Sequence, residues 1–352
     1  MAVDASAVEN TSNNARREMK PIAVIILNWN GEQLLRKYLP QVVATTEAGI
    51  ADVIVADNGS TDGSVEVLQK EFPQVKAIQF PENYGFAEGY NRAIEQTRYK
   101  YTVLLNSDVA PAEGWLRPLY DYLESHEEVA AVQPKVLSDR DRRMFEHAGA
   151  AGGFIDVNGF PYCRGRIMET VEQDEGQYDT EMEIFWASGA ALTIRTETYL
   201  SVGGLDNRFF AHMEEIDLCW RVLLTGKKIV AVPSSKIYHL GGASLAYNNP
   251  RKTYLNFRNN LLMMHKNLPD ATRSRKLLKR RLIDTIAWAK YVVTLDFKNA
   301  GAIFRAHRDF IKMRVHYSEH PEVDLLDRMP LRVNIITSHY IAGVRKFSEL
   351  VK

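Results

Sequence analysis

Cysteine is nearly missing from this chain: Cys163 and Cys219 are the only two in 352 residues. Two thiols cannot build a disulfide framework, so a scaffold stapled for an oxidising compartment is excluded, and a reducing one, the cytoplasm, fits. Cys219 falls in a helical pattern and reads as a small core residue, while Cys163 falls in a Gly/Pro-rich loop. Net charge is missing too, since 44 Lys plus Arg balance 44 Asp plus Glu. That removes the global positive field of a nucleic-acid binder, and no nucleic-acid partner is expected. Long apolar runs are absent: none reaches the ~18 residues that span a bilayer. The nearest, residues 283–295, is shorter and contains Asp284 and Lys290. Residues 1–19 lack the apolar segment of a signal peptide and read as a disordered lead, with the folded chain starting at about residue 21. Internal repeats and low-complexity tracts are also absent.

What is present is a series of strand and helix patterns, each strand running into a polar motif. Residues 22–27 form a continuous apolar run, as a strand buried on both faces requires, and end at Asn28-Trp29-Asn30-Gly31. Residues 32–46 have helical spacing, with Leu34, Leu35, Leu39 and Val42 on one side. A second strand at 52–56 runs into Asp57-Asn58-Gly59-Ser60, and a helix follows over 60–72, stopped by Pro73. A strand at 75–80, a helix at 86–98 and a strand at 101–105 lead to Asn106-Ser107-Asp108. This β-α-β-α-β-α-β order predicts an α/β fold with a mostly parallel sheet and helices on both faces. Ligands of such sheets sit outside the carboxyl ends of the strands, so three polar strand ends predict one site for a polar ligand, a nucleotide with a metal.

Beyond Asp108 the pattern predicts a helix at 115–125 and a short strand at 130–133. Residues 138–183 are rich in Gly, Arg and acids and poorly periodic, which predicts a long functional loop. Order returns at 184–194, around Trp186-Ala187-Ser188-Gly189. A helix at 213–225 and a short strand at 228–232 precede Tyr238-His239-Leu240-Gly241-Gly242. From residue 249 to the end the chain looks helical.

Several residues in these motifs can carry chemistry. A carboxylate emerging from a strand end at Asp108 can hold a divalent cation between two phosphates, although Asn106 and Asp108 also suit a plain strand-end turn. Asp57 can accept hydrogen bonds from a nucleobase or a ribose, or can serve turn chemistry, with Ser60 or Asp62 capping the next helix. The run from Asn83 through Gly85 and Phe86 to Asn91 opens a helix whose glycines allow close backbone approach and whose start favours anions. Glu214, Glu215 and Asp217 cluster at another helix start beside Phe209, Phe210 and His212. The helix dipole accounts for one or two such acids, and three suggest a general base in a cleft. His239, as neutral imidazole, can complete a carboxylate–metal site.

Taken in order, these segments resemble the family 2 glycosyltransferases of GT-A fold, and among them the bacterial rhamnosyltransferase-like members, over roughly residues 21–260. The matching pieces run from residues 26–31, 57–60 and 83–87 through 105–108 to 203–206, 214–219 and 238–244. The resemblance implies a GT-A catalytic domain over 21–248 and a helical C-terminal region over 249–352. It implies that Asp57 contacts the nucleobase and that Asn28, Trp29, Asn30, Asn83, Gly85, Phe86, Asn91 and Asn106 belong to the nucleotide and donor site. Trp186, Ser188 and Gly189 match the segment lining donor sugar and acceptor. Asp108 matches the last acid of a metal-binding Asp-x-Asp triplet whose first acid is here Asn106, so a more weakly held Mn²⁺ or Mg²⁺ is expected. His239 matches the distal metal ligand, and Glu215 the catalytic base, with Glu214 and Asp217 beside it.

The implied chemistry is an inverting in-line displacement by an acceptor hydroxyl on a nucleoside-diphosphate sugar. The donor is dTDP-rhamnose or a UDP sugar, and the acceptor a glycan or lipid-linked glycan of the cell surface. The Gln-x-x-Arg-Trp motif of processive members is absent, so single-sugar transfer is expected. A nucleotidyltransferase would need a basic Gly-rich loop where Asn28-Trp29-Asn30-Gly31 stands. A non-catalytic carbohydrate- or partner-binding protein on the same fold would not need Asp108, Glu215 and His239 together. The loop at 138–183, with Arg164 and Arg166, is expected to shape acceptor recognition as a lid. The basic cluster from Arg273 to Arg281, followed by Trp288, Tyr291 and Val292, reads either as a solvated helix face or as a peripheral contact with the inner face of the cytoplasmic membrane. The helical region also suits a homodimer interface.

Overall fold

The computed structural model describes residues 20–241, 249–329 and 331–351. The expected disordered lead, and Gly242, Ala243 and Ser244 of the last motif, lie outside the described residues. The first half alternates as the pattern requires: β1 (Ile22–Asn28), α1 (Glu32–Thr45), β2 (Ala51–Asp57), α2 (Ser64–Glu71), β3 (Lys76–Gln79), α3 (Gly85–Thr97) and β4 (Tyr101–Leu105). Then follow β5 (Val109–Pro111), α4 (Leu116–Ser125), β6 (Val129–Ser138), β7 (Gly153–Ile155), β8 (Pro161–Cys163), β9 (Arg166–Ile167), β10 (Thr170–Val171), β11 (Met182–Glu183) and β12 (Ala191–Arg195). The chain continues through α5 (Thr196–Ser201), α6 (Glu214–Leu224), β13 (Lys228–His239), α7 (Pro250–Asn267), α8 (Asp270–Val293) and α9 (Phe297–Met313). Two short helices, α10 (Leu325–Arg328) and α11 (Ile335–Tyr340), precede the end.

The main sheet has the order β11-β13-β6-β12-β4-β1-β2-β3, with β5 against β13. Strands β4, β1, β2 and β3 run parallel, as do β6 and β13, and β12 is antiparallel between β4 and β6. Alternate side chains of β1 enter opposite cores. Ala23 and Ile25 face α3, whose Ala87, Tyr90, Ala93 and Ile94 are buried there. Ile22, Val24 and Ile26 face α1, α2 and α4 through Leu35, Val67 and Leu116. Period-2 alternation with apolar residues on both sides is why the run is unbroken. Each fully buried aliphatic side chain contributes roughly 1.5–3 kcal/mol. Leu261, Leu262, Met263 and Met264 of α7 share the core that holds α3, so the helical region is built onto the sheet.

Three elements differ from the sequence expectation, for identifiable reasons. First, α2 starts at Ser64 rather than residue 60. Ser60 donates to Asp57 through both its backbone N–H (3.0 Å) and its hydroxyl (2.6 Å), and the backbone N–H of Ser64 donates to Asp62 Oδ1 (3.0 Å), so residues 57–63 are held as a turn. Second, β6 and β13 run past Gln133 and Val232. Pro134 and Pro233 read as strand ends because proline cannot donate to a ladder. The pairing instead shifts register between Val232 and Lys236, a bulge that lets both strands continue and carries His239 opposite Val109 and Ser138.

The third difference is the largest. Residues 138–183 are not one irregular loop. Within them Gly153 to Val171 form a second antiparallel sheet, β10-β9-β8-β7, with Phe154, Tyr162, Cys163 and Ile167 buried. Lys135, fully buried, donates to Asp174 (2.8 Å) and also reaches Asp179. Arg164 gives its guanidinium to the carbonyls of Ala151 (3.0 Å) and Thr180 (2.8 Å), and Arg166 donates to the Met168 carbonyl (3.0 Å), so neither is offered to an anionic acceptor. The C-terminal Phe347 closes over this sheet against Phe154 and Tyr178. Gly153 is what lets Trp186 pack: a Cβ there would stand 2.2 Å from the indole ring. Gly153→Ala is therefore expected to cost about 1–3 kcal/mol by overpacking, read as a lower denaturant midpoint at unchanged slope.

Candidate active site

The carboxyl ends of β1 and β2 meet first. Asn28 and Asp57 are register partners in the parallel ladder, and both are buried. Asn28 Nδ2 donates to Asp57 Oδ1 (2.9 Å) and to Ser60 Oγ (3.2 Å). Asp57 thus serves the turn, yet Oδ2 accepts only the Ser60 backbone N–H and keeps capacity for another donor. Asn30, at φ 49°, accepts from the Thr61 backbone N–H (2.8 Å), and Trp29 between the two asparagines is 56% exposed. Asn58 laces the next loop on: its Nδ2 donates to Asn83 Oδ1 (3.0 Å) and to the Gly85 carbonyl (3.0 Å), and its Oδ1 accepts from the Tyr84 backbone N–H (3.1 Å). Gly85 has φ +81°, a backbone conformation that glycine adopts without strain.

A second group forms where β4 and β13 end. The antiparallel β5–β13 ladder sets His239 against Val109, and Leu240 donates its backbone N–H to the Asp108 carbonyl (3.1 Å). His239 Nε2 lies 3.0 Å from Asp108 Oδ1 and 3.4 Å from Asn106 Nδ2. Its Nδ1 lies 3.6 Å from an oxygen of Glu146, a buried acid from the segment before β7. Burial opposes a charge on His239, but the carboxylates of Asp108 and Glu146 outweigh it and lift the imidazole to about 10. Glu146 carries no periodic or motif signal, because it sits in the stretch that reads as irregular.

The third group faces α6. Residues 210–213 leave the ordinary backbone regions: Phe210, His212 and Met213 all have φ between 67° and 73°. Asn259 of α7 holds this bend, its Nδ2 donating to the carbonyls of Phe209 (2.9 Å), Ala211 (2.8 Å) and His212 (2.7 Å), and Arg258 also donates to the Phe209 carbonyl (2.8 Å). Both are buried polar residues on a helix that sequence periodicity alone treats as packing. The bend delivers Glu214 and Glu215 to the first turn of α6. Beta and gamma carbons of Glu215 come within 4.0 Å of where a side chain on Gly189 would begin, and so does the Phe86 ring. Gly189, Phe86 and Glu215 are therefore neighbours, and the missing side chain at Gly189 leaves its backbone open to them. Burial pushes the Glu215 carboxyl up to about 7, and Oε2 has no partner. Glu214 is more deeply buried and is pushed well above the usual range, by burial and then by Glu215. Asn106 joins this group to the second, since its backbone N–H donates to the Ala190 carbonyl (3.1 Å), next to Gly189.

Four expected site residues are otherwise engaged. Asp217, two residues on from Glu215 and so about 200° around the helix, is completely buried between Arg221 (2.9 Å), Lys266 (2.9 Å) and Asn267 (2.7 Å). Trp186 is a core residue packed on Gly153, with its indole N–H on the Phe154 carbonyl (2.8 Å). Ser188 is a buried anchor, donating its hydroxyl to the Ala148 carbonyl (2.7 Å) and its backbone N–H to Gln133 (2.7 Å). Asn91 secures the 203–205 turn, giving Nδ2 to the Leu205 carbonyl (2.8 Å) and accepting from Tyr199 Oη (2.6 Å) and the Leu205 backbone N–H (3.0 Å).

The residues can be tested for a metal. Among the described residues no group of three His, Cys, Asp or Glu side chains is arranged to hold one. His239 Nε2 meets Asp108, while its Nδ1, 3.6 Å from Glu146, has no hydrogen-bond partner. One edge does fit: a cation that displaced the Nε2 proton would find Asp108 Oδ1 and His239 Nε2 close enough to share it at ~2.1 Å bond length, with its remaining ligands from phosphate and water.

The sequence profile of Glycosyl transferase family 2 matches residues 23–184. The N-acetylglucosaminyl-diphospho-decaprenol L-rhamnosyltransferase of Mycobacterium tuberculosis is 27% identical over 234 residues, covering 62% of this chain and 75% of that protein. Among solved structures, S. aureus TarS 1-349 in complex with UDP-GlcNAc superposes with a TM-score of 0.56 at 15% identity, over 84% of this chain and 81% of that one. GalNAc-T7 with UDP, GalNAc and Mn²⁺ gives a TM-score of 0.56 at 15% identity, over 72% of this chain and 49% of that one. At these identities the two structures share the fold with this chain.

Proposed function

This chain carries a Glycosyl transferase family 2 domain and is a glycosyltransferase, and on that premise we propose that it moves a single sugar, with inversion, from a nucleoside-diphosphate sugar to a hydroxyl of a glycan or lipid-linked glycan. The observation that carries the reading is Glu215, a carboxyl with an unpartnered oxygen, raised to about 7, placed beside Gly189 near Phe86. A base poised near the working pH is suited to take a hydroxyl proton as that hydroxyl attacks. Leu105 and Ala191 are register partners, which sets the β4 end that carries Asn106 and Asp108 near Gly189 and so near Glu215. There the leaving diphosphate would lie between base and strand ends. Asp108 and His239 would hold a divalent cation, which when bound supplies the charge that neutralises the departing diphosphate. Asp57, with its spare lone pair on Oδ2, would accept from the nucleobase or ribose, and exposed Trp29 offers an aromatic face beside it.

The donor in this reading is dTDP-rhamnose or a UDP sugar. The mycobacterial relative is named as a rhamnosyltransferase to a diphospho-decaprenol, and the TarS and GalNAc-T7 structures hold UDP-GlcNAc and UDP respectively. Cell-surface polysaccharide assembly is the setting that such an acceptor implies. The test is calorimetric binding of dTDP, UDP and GDP with Mn²⁺ and then with chelator, on the wild type and on Asp108→Ala. Binding of one nucleotide that needs the metal and drops at least about tenfold in the variant is expected. Failure of every nucleotide to bind would overturn the transferase reading of the site.

A further inference from the structure

The outer surface of α8 and α9 has a composition that a protein surface facing only water does not need. Between residues 274 and 313 every fully exposed charged side chain is a cation. Arg275, Lys279, Lys290, Lys298, Arg305 and Lys312 point outward, while Asp284 is buried against Arg280, Asp309 is paired with Arg308, and Asp296, the one acid of the turn, caps α9 by accepting from the Asn299 backbone N–H (3.1 Å) and Nδ2 (2.7 Å). Large apolar side chains lie among these cations. Leu278, Leu282 and Ile286, spaced at i, i+4 and i+8, form a stripe on α8, and each is at least 61% exposed. The stripe runs to the turn between the helices, where Val293, Leu295 and Phe297 are 81%, 72% and 64% exposed. Lys290 and Lys298 flank that tip. In a chain of zero net charge, this surface concentrates cations and exposed hydrocarbon together.

We propose that the α8–α9 hairpin seats the protein on an anionic lipid surface, with its tip in the headgroup boundary. A helix whose outward face mixes leucine-like side chains with Lys and Arg matches the physics of an interfacial helix, where burial of hydrocarbon and attraction to acidic headgroups add. No helix among the described residues is long and apolar enough to cross a membrane, so the hairpin lies on the surface. The placement relative to the site supports the same occupant. Asn299, one turn into α9 from the tip, accepts from the Thr253 hydroxyl at 2.7 Å. Thr253 lies in the first turn of α7, where Arg251 sits over the Phe210 ring at 5.0 Å. The apolar tip is thereby tied to the helix end beside the strained bend that carries Glu214 and Glu215. An acceptor anchored in the same lipid surface would meet the site without leaving it.

The full chain is tested by co-sedimentation with phosphatidylglycerol-containing vesicles and with neutral phosphatidylcholine vesicles, at low and high salt. Binding to the anionic vesicles that weakens about tenfold in high salt, or on neutral vesicles, is expected. Val293→Ser, Leu295→Ser and Phe297→Ser combined are expected to weaken it by a further tenfold or more at an unchanged thermal midpoint. Lys290→Glu with Lys298→Glu, which leaves the hydrocarbon in place, gives an independent loss. Absence of binding to anionic vesicles at low salt would overturn the proposal. So would sedimentation velocity showing a wild-type dimer that the tip substitutions dissociate while vesicle binding persists, because the surface would then cover a second copy of the chain. Nucleotide binding plays no part in these measurements, so they stand apart from the reading of the site.

Discussion

Glu215→Gln is expected to lower kcat by about 10³-fold while leaving nucleotide affinity unchanged, the span that loss of a general base commands. Glutamine keeps the shape of the side chain beside Gly189 but cannot accept the acceptor's proton. The same group sets the pH dependence. The carboxylate is the active form and its proton leaves at about 7, so kcat/KM of the wild type should fall tenfold per unit below that pH and level off above it. The stability effect has the opposite sign. A carboxyl raised in the folded state favours its protonated form, so its contribution to stability is present at low pH and lost as pH rises through about 7. Raising it from 4.5 to about 7 corresponds to roughly 3 kcal/mol at high pH. Glu215→Gln should therefore melt higher than the wild type at pH 8 and nearly the same at pH 5. Loss of activity together with higher stability is the signature expected, and a variant that turned over normally would show that the base lies elsewhere. Glu214→Gln separates the two acids: burial, and then the neighbouring Glu215, push the Glu214 carboxyl well above the usual range and disfavour the ionised form that a base needs, so its amide should cost far less.

The strand ends were legible because burial on both faces leaves an unbroken apolar run, and a run of that kind must stop where the sheet meets solvent. Asn28, Asp57 and Asn106 stand at those stops, and the parallel register brings them to one edge. Glu215 stood out for a different reason, since three acids in one helical turn exceed what a helix dipole asks for. The same argument took in Asp217, which the structure holds in a buried ion-pair cluster, because a one-dimensional pattern does not say which way a carboxylate turns. Trp186, Ser188 and Asn91 are likewise engaged within the fold. Their residue types suit a sugar site, but their polar atoms are taken up by Phe154, Ala148 and Leu205 across 32, 40 and 114 residues of chain. Such long-range partners leave no local trace. Glu146 and Asn259 were invisible on the same grounds, one in an irregular segment between β6 and β7 and one on the buried side of a helix. The prolines in β6 and β13 hid the second halves of the two strands, of which β13 carries His239 to Asp108, since the bulge that accommodates them depends on both strands at once.

Asp217→Ala is expected to cost about 3–5 kcal/mol of folding stability, the range found when one partner of a buried ion pair is removed. The site explains the size. Asp217 is completely buried, and its carboxylate receives Arg221 from its own helix and Lys266 and Asn267 from α7. Lys266 also reaches Asp206 at 2.9 Å, so a single lysine ties α6 to the 203–206 turn and to α7. Removing the carboxylate leaves two cations facing each other in a nearly dry setting, and half of the Lys266 pairing remains to limit the damage. The variant's denaturation midpoint should drop sharply, whereas Glu215→Gln should not lower it. Because α7 also supplies Asn259 to the bend ahead of Glu214, weakening the α6–α7 junction should loosen the base as well. Asp217→Asn distinguishes this from a direct catalytic role. It retains hydrogen-bonding oxygen for the two cations at reduced charge, so it should recover part of the stability and, at temperatures where it is folded, most of the turnover. Were Asp217 itself the base, the asparagine would be folded and inactive, and the assignment of the base to Glu215 would have to be given up.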